Sequence, residues 1–176
     1  MKAITRRFNL FLALMVLAAL CGCQTEKHKK SKDVSALRLH IEAGSNDSGL
    51  TQAVSVLRSD PTLLTIEKEA VLTEANLIEA KVIDARGGIA IAIQFDESSA
   101  LVLEQYSASN PGKHFVIFGQ WGKKLADGRW LAAPLITHRI AGGILSFTPD
   151  MSREEADRLV LGLNNVAKII SKGQLK

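Results

Sequence analysis

LIEAKVID (Leu77–Asp84), ARGG (Ala85–Gly88), IAIAIQF (Ile89–Phe95) and DESSALVLEQYS (Asp96–Ser107) follow one another without a gap, and their reading decides the fold. Leu77 to Asp84 and Ile89 to Phe95 are two strands of a hairpin, because a Gly-Gly turn separates two apolar runs of strand length. In the second run Ile89, Ile91, Ile93 and Phe95 share one face, since side chains alternate across a strand. Ala90 and Ala92 fall on the other face and are small enough for close packing. Asp96 then serves as a helix N-cap, its carboxylate placed to accept the free amides of the first turn. A helix is expected from about Ser98 to Ser107, with Leu103 and Tyr106 toward the sheet, ended by Asn110-Pro111-Gly112.

Working outward, His114 to Trp121 and Trp130 to Thr137 read as a second strand pair joined by Gly122 to Arg129, and Ile144 to Phe147 as a short strand. Ser152-Arg153-Glu154-Glu155 is a capping box. It opens a helix in which Ala156, Leu159, Val160, Leu163, Ala167 and Ile170 recur at helical spacing. Gly162 and Asn164-Asn165 weaken that helix, which is expected to stop or fray near them. Toward the N-terminus, Ala36 to Glu42, Ala53 to Arg58 and Leu63 to Lys68 read as strands, the last two separated by Ser59-Asp60-Pro61. Strands then helix, strands then helix, imply an α+β fold: an antiparallel or mixed sheet with two helices packed on one face.

From about Leu72 to Asn164 the order of pieces resembles the head subdomain of the first periplasmic domain of SecD, a subunit of the bacterial protein-export machinery. The matching residues are Phe95 with its following helix, Gly112-Lys113, Val116 and Ile117, Ala133-Pro134-Leu135-Ile136, and Ile140 with Gly142-Gly143. Phe147-Thr148, Glu155-Ala156, Leu159 and Leu163 complete the pattern. The resemblance implies a ferredoxin-like head of this type. It also implies a non-catalytic domain that contacts polypeptide leaving the export channel. SecD continues into several transmembrane helices and this sequence shows none, so the motor function does not come with the resemblance. The Gly119–Trp130 hairpin is longer than the short Asp-Gly turn usual in that family, and Ala36 to Val71 has no aligned counterpart.

The first residues carry a different message. Lys2, Arg6 and Arg7 precede an apolar run of 11 residues, Leu10 to Leu20, and then Cys21-Gly22-Cys23. Basic, apolar and small regions in that order make a secretory signal, too short for the roughly 20 residues of a membrane span. Leu20-Cys21-Gly22-Cys23 resembles the processing site of bacterial lipoproteins, which makes Cys23 the lipid-bearing residue; a spare thiol after ordinary cleavage is the alternative. Residues 1–22 are then a signal peptide, 23–33 a lipidated flexible tether, 34–71 a β-rich part and 72–170 the head-like domain. The expected location is the cell membrane or outer membrane, with the domain facing the periplasm or exterior. Gln24 after the cysteine favours the outer membrane by the rule of enteric bacteria.

Charge and chemistry narrow the function. The chain holds 22 Lys plus Arg against 18 Asp plus Glu. Lys2, Arg6 and Arg7 belong to the signal and Lys27, Lys29, Lys30 and Lys32 to the tether, leaving 15 basic and 16 acidic residues from Val34 onward. No nucleic-acid footprint results. Both cysteines lie in the processing region, so the folded part has no internal disulfide and stands on its core. There is no Gly-x-Ser-x-Gly elbow, and His40, His114 and His138 are isolated on strands without metal-ligand spacing, although strand pairing would allow His114 and His138 to approach. No catalytic residue, metal site or cofactor is expected. Trp121 and Trp130 beside Arg129 form either an exposed partner contact or an indole pair facing across the hairpin. The expected role is a membrane-held, non-catalytic module for an envelope protein or polypeptide; an enzyme of another type or a structural spacer is the alternative.

Overall fold

A computed structural model describes residues 33–44 and 50–173; the leader, Cys21, Cys23 and most of the tether lie outside them. Among the described residues nine strands and two α-helices follow in order: β1 (Ala36–Ile41), β2 (Thr51–Val56), β3 (Thr62–Glu67), β4 (Leu72–Thr73), β5 (Leu77–Ala85), β6 (Gly88–Phe95), α1 (Glu97–Ser109), β7 (Phe115–Trp121), β8 (Asp127–Ala132), β9 (Ile144–Phe147) and α2 (Arg153–Ser171). The expected α+β fold with two helices is present, with its strands divided among three antiparallel sheets. These run β4-β1-β7-β8, β2-β3 and β5-β6-β9.

Local chemistry sets the helix starts as the sequence implies. Asp96 accepts the Ser99 amide at 2.8 Å and the Ser98 hydroxyl at 2.7 Å, so α1 begins where β6 ends. At α2 the Glu155 amide donates to Ser152 Oγ at 3.2 Å, and the Ser152 amide donates back to Glu155 Oε2 at 2.8 Å. Two expectations are corrected. α2 does not stop near Gly162 but continues to Ser171, because its glycine and asparagines are held by tertiary contacts. Gly162 presses on β1's lead-in so closely that a Cβ there would meet the Ser35 amide nitrogen at 2.7 Å. The strand expected from Trp130 to Thr137 instead spans Asp127–Ala132 and ends before Pro134, which has no amide to donate.

One continuous core joins the larger sheets to both helices. Leu37, Leu39, Phe115 and Ile117 come from the four-stranded sheet, Ile91, Ile93, Phe95, Leu145 and Phe147 from the three-stranded one. Leu103 of α1 and Leu159 and Leu163 of α2 fill the space among them. β1 therefore belongs to the same core as the segment after Leu72. Gly119 on β7 lets Leu131 and Leu159 approach, since a Cβ would meet Leu131 Cδ1 at 2.6 Å. On the other face of the four-stranded sheet, hairpin β2–β3 buries a smaller cluster of Val54, Val56, Ile66 and Val116.

Candidate functional site

The three-stranded sheet has two edges, and they end differently. Along β5, Asn164 of α2 takes the place of a neighbouring strand at Ala80. Its Oδ1 accepts the Ala80 amide at 2.8 Å and its Nδ2 donates to the Ala80 carbonyl at 2.9 Å. A register irregularity between Leu77 and Glu79 further disturbs that edge. Bulges and covering groups of this kind keep foreign strands from pairing.

β9 forms the opposite edge and pairs only with β6, from Gln94↔Ile144 to Ile91↔Phe147. The Phe95 amide donates to the Gly143 carbonyl at 2.9 Å, which makes Phe95–Gly143 a hydrogen-bonded pair. Antiparallel alternation then turns the main-chain groups of Leu145 and Phe147 toward β6 and those of Ile144 and Ser146 outward. Among the described residues nothing pairs with that outward side. The side chains alternate the other way: Leu145 and Phe147 are buried in the core, and Ile144 and Ser146 are exposed.

Beside this edge runs a half-open groove of about 290 Å³, with Phe115, Ile136 and Leu145 as its buried lining and Leu135 and Ile144 at its rim. It is roughly twice the size of a cavity of about 150 Å³ that takes up benzene. Leu135 and Ile144 remain 51% and 54% exposed, a large value for aliphatic side chains beside a core. The far wall is fixed by its own hydrogen bonds: Ile136 donates to the Lys113 carbonyl at 2.8 Å, and Phe115 donates to the Pro134 carbonyl at 3.1 Å. The groove thus has one satisfied wall and one wall of open main chain.

Trp121, Trp130 and Arg129 lie elsewhere, and the two indoles do not face each other across the hairpin. The register pairs Phe118 with Trp130 and Trp121 with Asp127, which puts the indoles on opposite faces of the sheet. A 3₁₀ turn at Lys123–Leu125 produces that offset. Trp121 is 1% exposed within the main core and cannot be an exposed contact. Arg129 stacks over it, 4.9 Å from guanidinium carbon to ring centroid, and donates to Glu155 Oε2 at 2.8 Å and the Asp150 carbonyl at 3.2 Å. Arg58 donates to both carboxylate oxygens of Asp150 at 3.1 and 3.2 Å and holds it below the usual carboxylate range. Glu155 is also lowered: burial acts to raise it, and the Ser152 amide and Arg129 outweigh that. These contacts tie the start of α2 to β8 and to the tip of β2–β3. Trp130, half-buried, lies 5.1 Å from Phe118 and 5.4 Å from His40, centroid to centroid. With Phe118, Arg58 and Arg129 it lines an open surface groove of about 540 Å³.

The histidines are engaged separately. His114 Nδ1 lies 2.6 Å from Glu42 Oε2, and His138 Nδ1 lies 2.9 Å from Thr137 Oγ1. His40 donates from Nδ1 to the Glu67 carbonyl at 2.9 Å; burial lowers its pKa, partly offset by that bond and reinforced by Arg38. Among the described residues no three His, Cys, Asp or Glu side chains gather as metal ligands, and no helix is long and apolar enough to cross a membrane. Sequence reasoning identified the Ala133–Ile136 run as a marker of the fold, but did not single out the groove that Pro134, Leu135 and Ile136 help form. Asn164, read there as a helix weakener, is the residue that seals β5.

The described residues thus form an antiparallel α+β scaffold whose three-stranded sheet is covered by Asn164 on one edge and flanked by a groove on the other. A family model described as SecDF, P1 head subdomain, matches residues 51–167, more than half of the chain. The chain belongs to that family, as the resemblance in its sequence implied. Among solved structures, a SecDF membrane component described as enhancing protein export aligns with a TM-score of 0.53 at 20% identity, covering 76% of this chain and 64% of that one. SecDF in a super-membrane-facing form gives 0.49 at 15% identity over 93% and 33%. A translocon-associated SecDF from Thermus thermophilus gives 0.41 at 16% over 90% and 34%. The chain therefore spans just under two thirds of the first structure and about one third of the other two. No curated protein matches it.

Proposed function

We propose that this chain is a bacterial lipoprotein in which lipid on Cys23 holds a non-catalytic head domain at the envelope membrane, where it binds a protein or polypeptide segment. The signal 1–22, the tether 23–33, the β-rich part 34–71 and the head-like part 72–170 are the corresponding divisions. The observation that carries the binding role is the open β9 edge beside the groove under Leu135 and Ile144. The printed role of the first solved relative, enhancement of protein export, is consistent with a polypeptide as the bound species. The near-neutral charge of the folded part leaves no basis for a nucleic-acid partner. One acyl chain anchors only marginally, so stable attachment requires the several chains that lipoprotein processing supplies, with the tether lysines adding about 1 kcal/mol each near anionic headgroups.

Two measurements test this reading. Labelled palmitate is expected to enter the protein and to be lost in Cys23→Ser, which then leaves the membrane fraction. Pull-down from membranes is expected to recover a polypeptide partner at a higher level than the Cys23→Ser control. Retention of the Cys23→Ser protein in membranes removes the anchor, and recovery of no partner removes the binding role.

A further inference from the structure

The geometry points to main-chain recognition at this site: an extended polypeptide segment adds as a fourth strand beside β9 and places one apolar side chain in the adjoining groove. This rests on the binding role proposed above and names the class of ligand. The outward amides and carbonyls of Ile144 and Ser146 supply two donors and two acceptors in one row. Only a segment in β conformation presents complementary groups at that spacing. A helix satisfies its own main chain and leaves this row unpaired.

The pleat also sets which side chains count. On an added strand, the residue sharing Leu145's face points toward the groove lined by Phe115 and Ile136, whereas its neighbours lie on the solvent face with Ile144 and Ser146. Recognition therefore needs an apolar side chain at one position and tolerates many residues on either side of it. Proline at a donor position breaks a pairing bond, and a charged side chain at the groove position is desolvated without a partner. The ligand class is an unfolded, sequence-diverse chain with scattered apolar residues. On the other edge of the same sheet Asn164 already occupies the main-chain groups of Ala80. Each blocked main-chain bond is expected to weaken binding roughly two- to ten-fold.

The test uses the full chain in detergent micelles and a fluorescent eight-residue peptide of alternating valine and threonine with a lysine at each end. A second peptide of the same sequence carries N-methyl groups on its six central amides. The plain peptide is expected to bind, the methylated one at least about ten-fold more weakly. Hydrogen exchange should slow at Ile144 and Ser146 when the plain peptide is present and stay unchanged at Ala80. Ser146→Pro, tolerable because its lost donor faces outward on an edge strand, should reduce plain-peptide binding while keeping the melting transition. Equal binding of both peptides, or no added protection at Ile144 and Ser146, overturns strand addition and leaves polypeptide binding standing. Binding of neither peptide overturns both. The peptide pair decides the matter on the unaltered protein even if Ser146→Pro does not fold.

Discussion

β5 and β9 are the two edges of one sheet, yet one is covered at Ala80 by a side-chain amide and the other has no such cover among the described residues. Asn164 gives Ala80 both of its missing main-chain partners, whereas Ile144 and Ser146 have none among the described residues. Both strands bury apolar side chains in the same core, so burial does not explain the difference. What separates them is where α2 runs: it lies along β5 and leaves β9 beside a groove. Edge strands invite unplanned pairing, and a fold that closes one edge with a side-chain amide has the means to close both. The open edge is the one beside the half-exposed Leu135 and Ile144, which is why the proposed binding falls there.

The largest effect in breaking this contrast is expected from Asn164→Leu. It strands a buried amide and carbonyl at Ala80, at a cost of about 3 kcal/mol, and turns β5 into a second open edge. A lower urea midpoint together with concentration-dependent association in light scattering checks both parts. Gly162→Ala acts through the helix that carries Asn164. Its methyl group meets Ser35, forcing α2 outward, and the expected loss is about 2 kcal/mol even after the gain in helix propensity. Ala80 exchange should then quicken before exchange at Ile93 does.

A smaller change separates the edge from the rest of the molecule. His40 is buried under hairpin β2–β3 and its folded pKa is lowered from 6.5. The unfolded chain therefore binds more protons as pH falls below about 6.5, and stability drops from there toward the lowered folded value, being complete above that window. Arg38 beside it on β1 and the main-chain carbonyls of Glu67 and Glu69 are the groups acting on it. Melting temperature against pH should decline through this range and flatten in His40→Gln, with peptide binding at β9 following only the fraction folded. The smallest stability effect belongs to Ile144→Lys, within about 0.5 kcal/mol because the side chain is already in solvent. That lysine should nonetheless weaken binding of the plain valine–threonine peptide beside β9, which an unaltered affinity would contradict.

What was legible in the sequence was local. Asp96 and the Ser152–Glu155 box act over a few residues and lie where their spacing says; the Ile89–Phe95 alternation likewise fixes which face of β6 is buried. Long-range registers were not legible. Trp121 and Trp130 flank one hairpin, but a 3₁₀ turn sends them to opposite faces, and no local rule contains that offset. Gly162 and Asn164 are poor helix residues by intrinsic preference. They persist in α2 because one admits Ser35 and the other binds Ala80, contacts made 127 and 84 residues away along the chain. The fold class was thus readable from patterning and the family from the resemblance of its quoted residues, whereas the uncovered edge became visible only once α2 was placed on the sheet.

The most direct test installs a photo-crosslinking side chain at Ile144 in one full-length variant and at Ile78, on the sealed edge, in another. Each is expressed in cells and irradiated during protein secretion. Covalent adducts with other polypeptides should form from position 144 and be scarce from position 78. Equal adducts from both positions, or none from 144, would contradict an edge left open for a polypeptide.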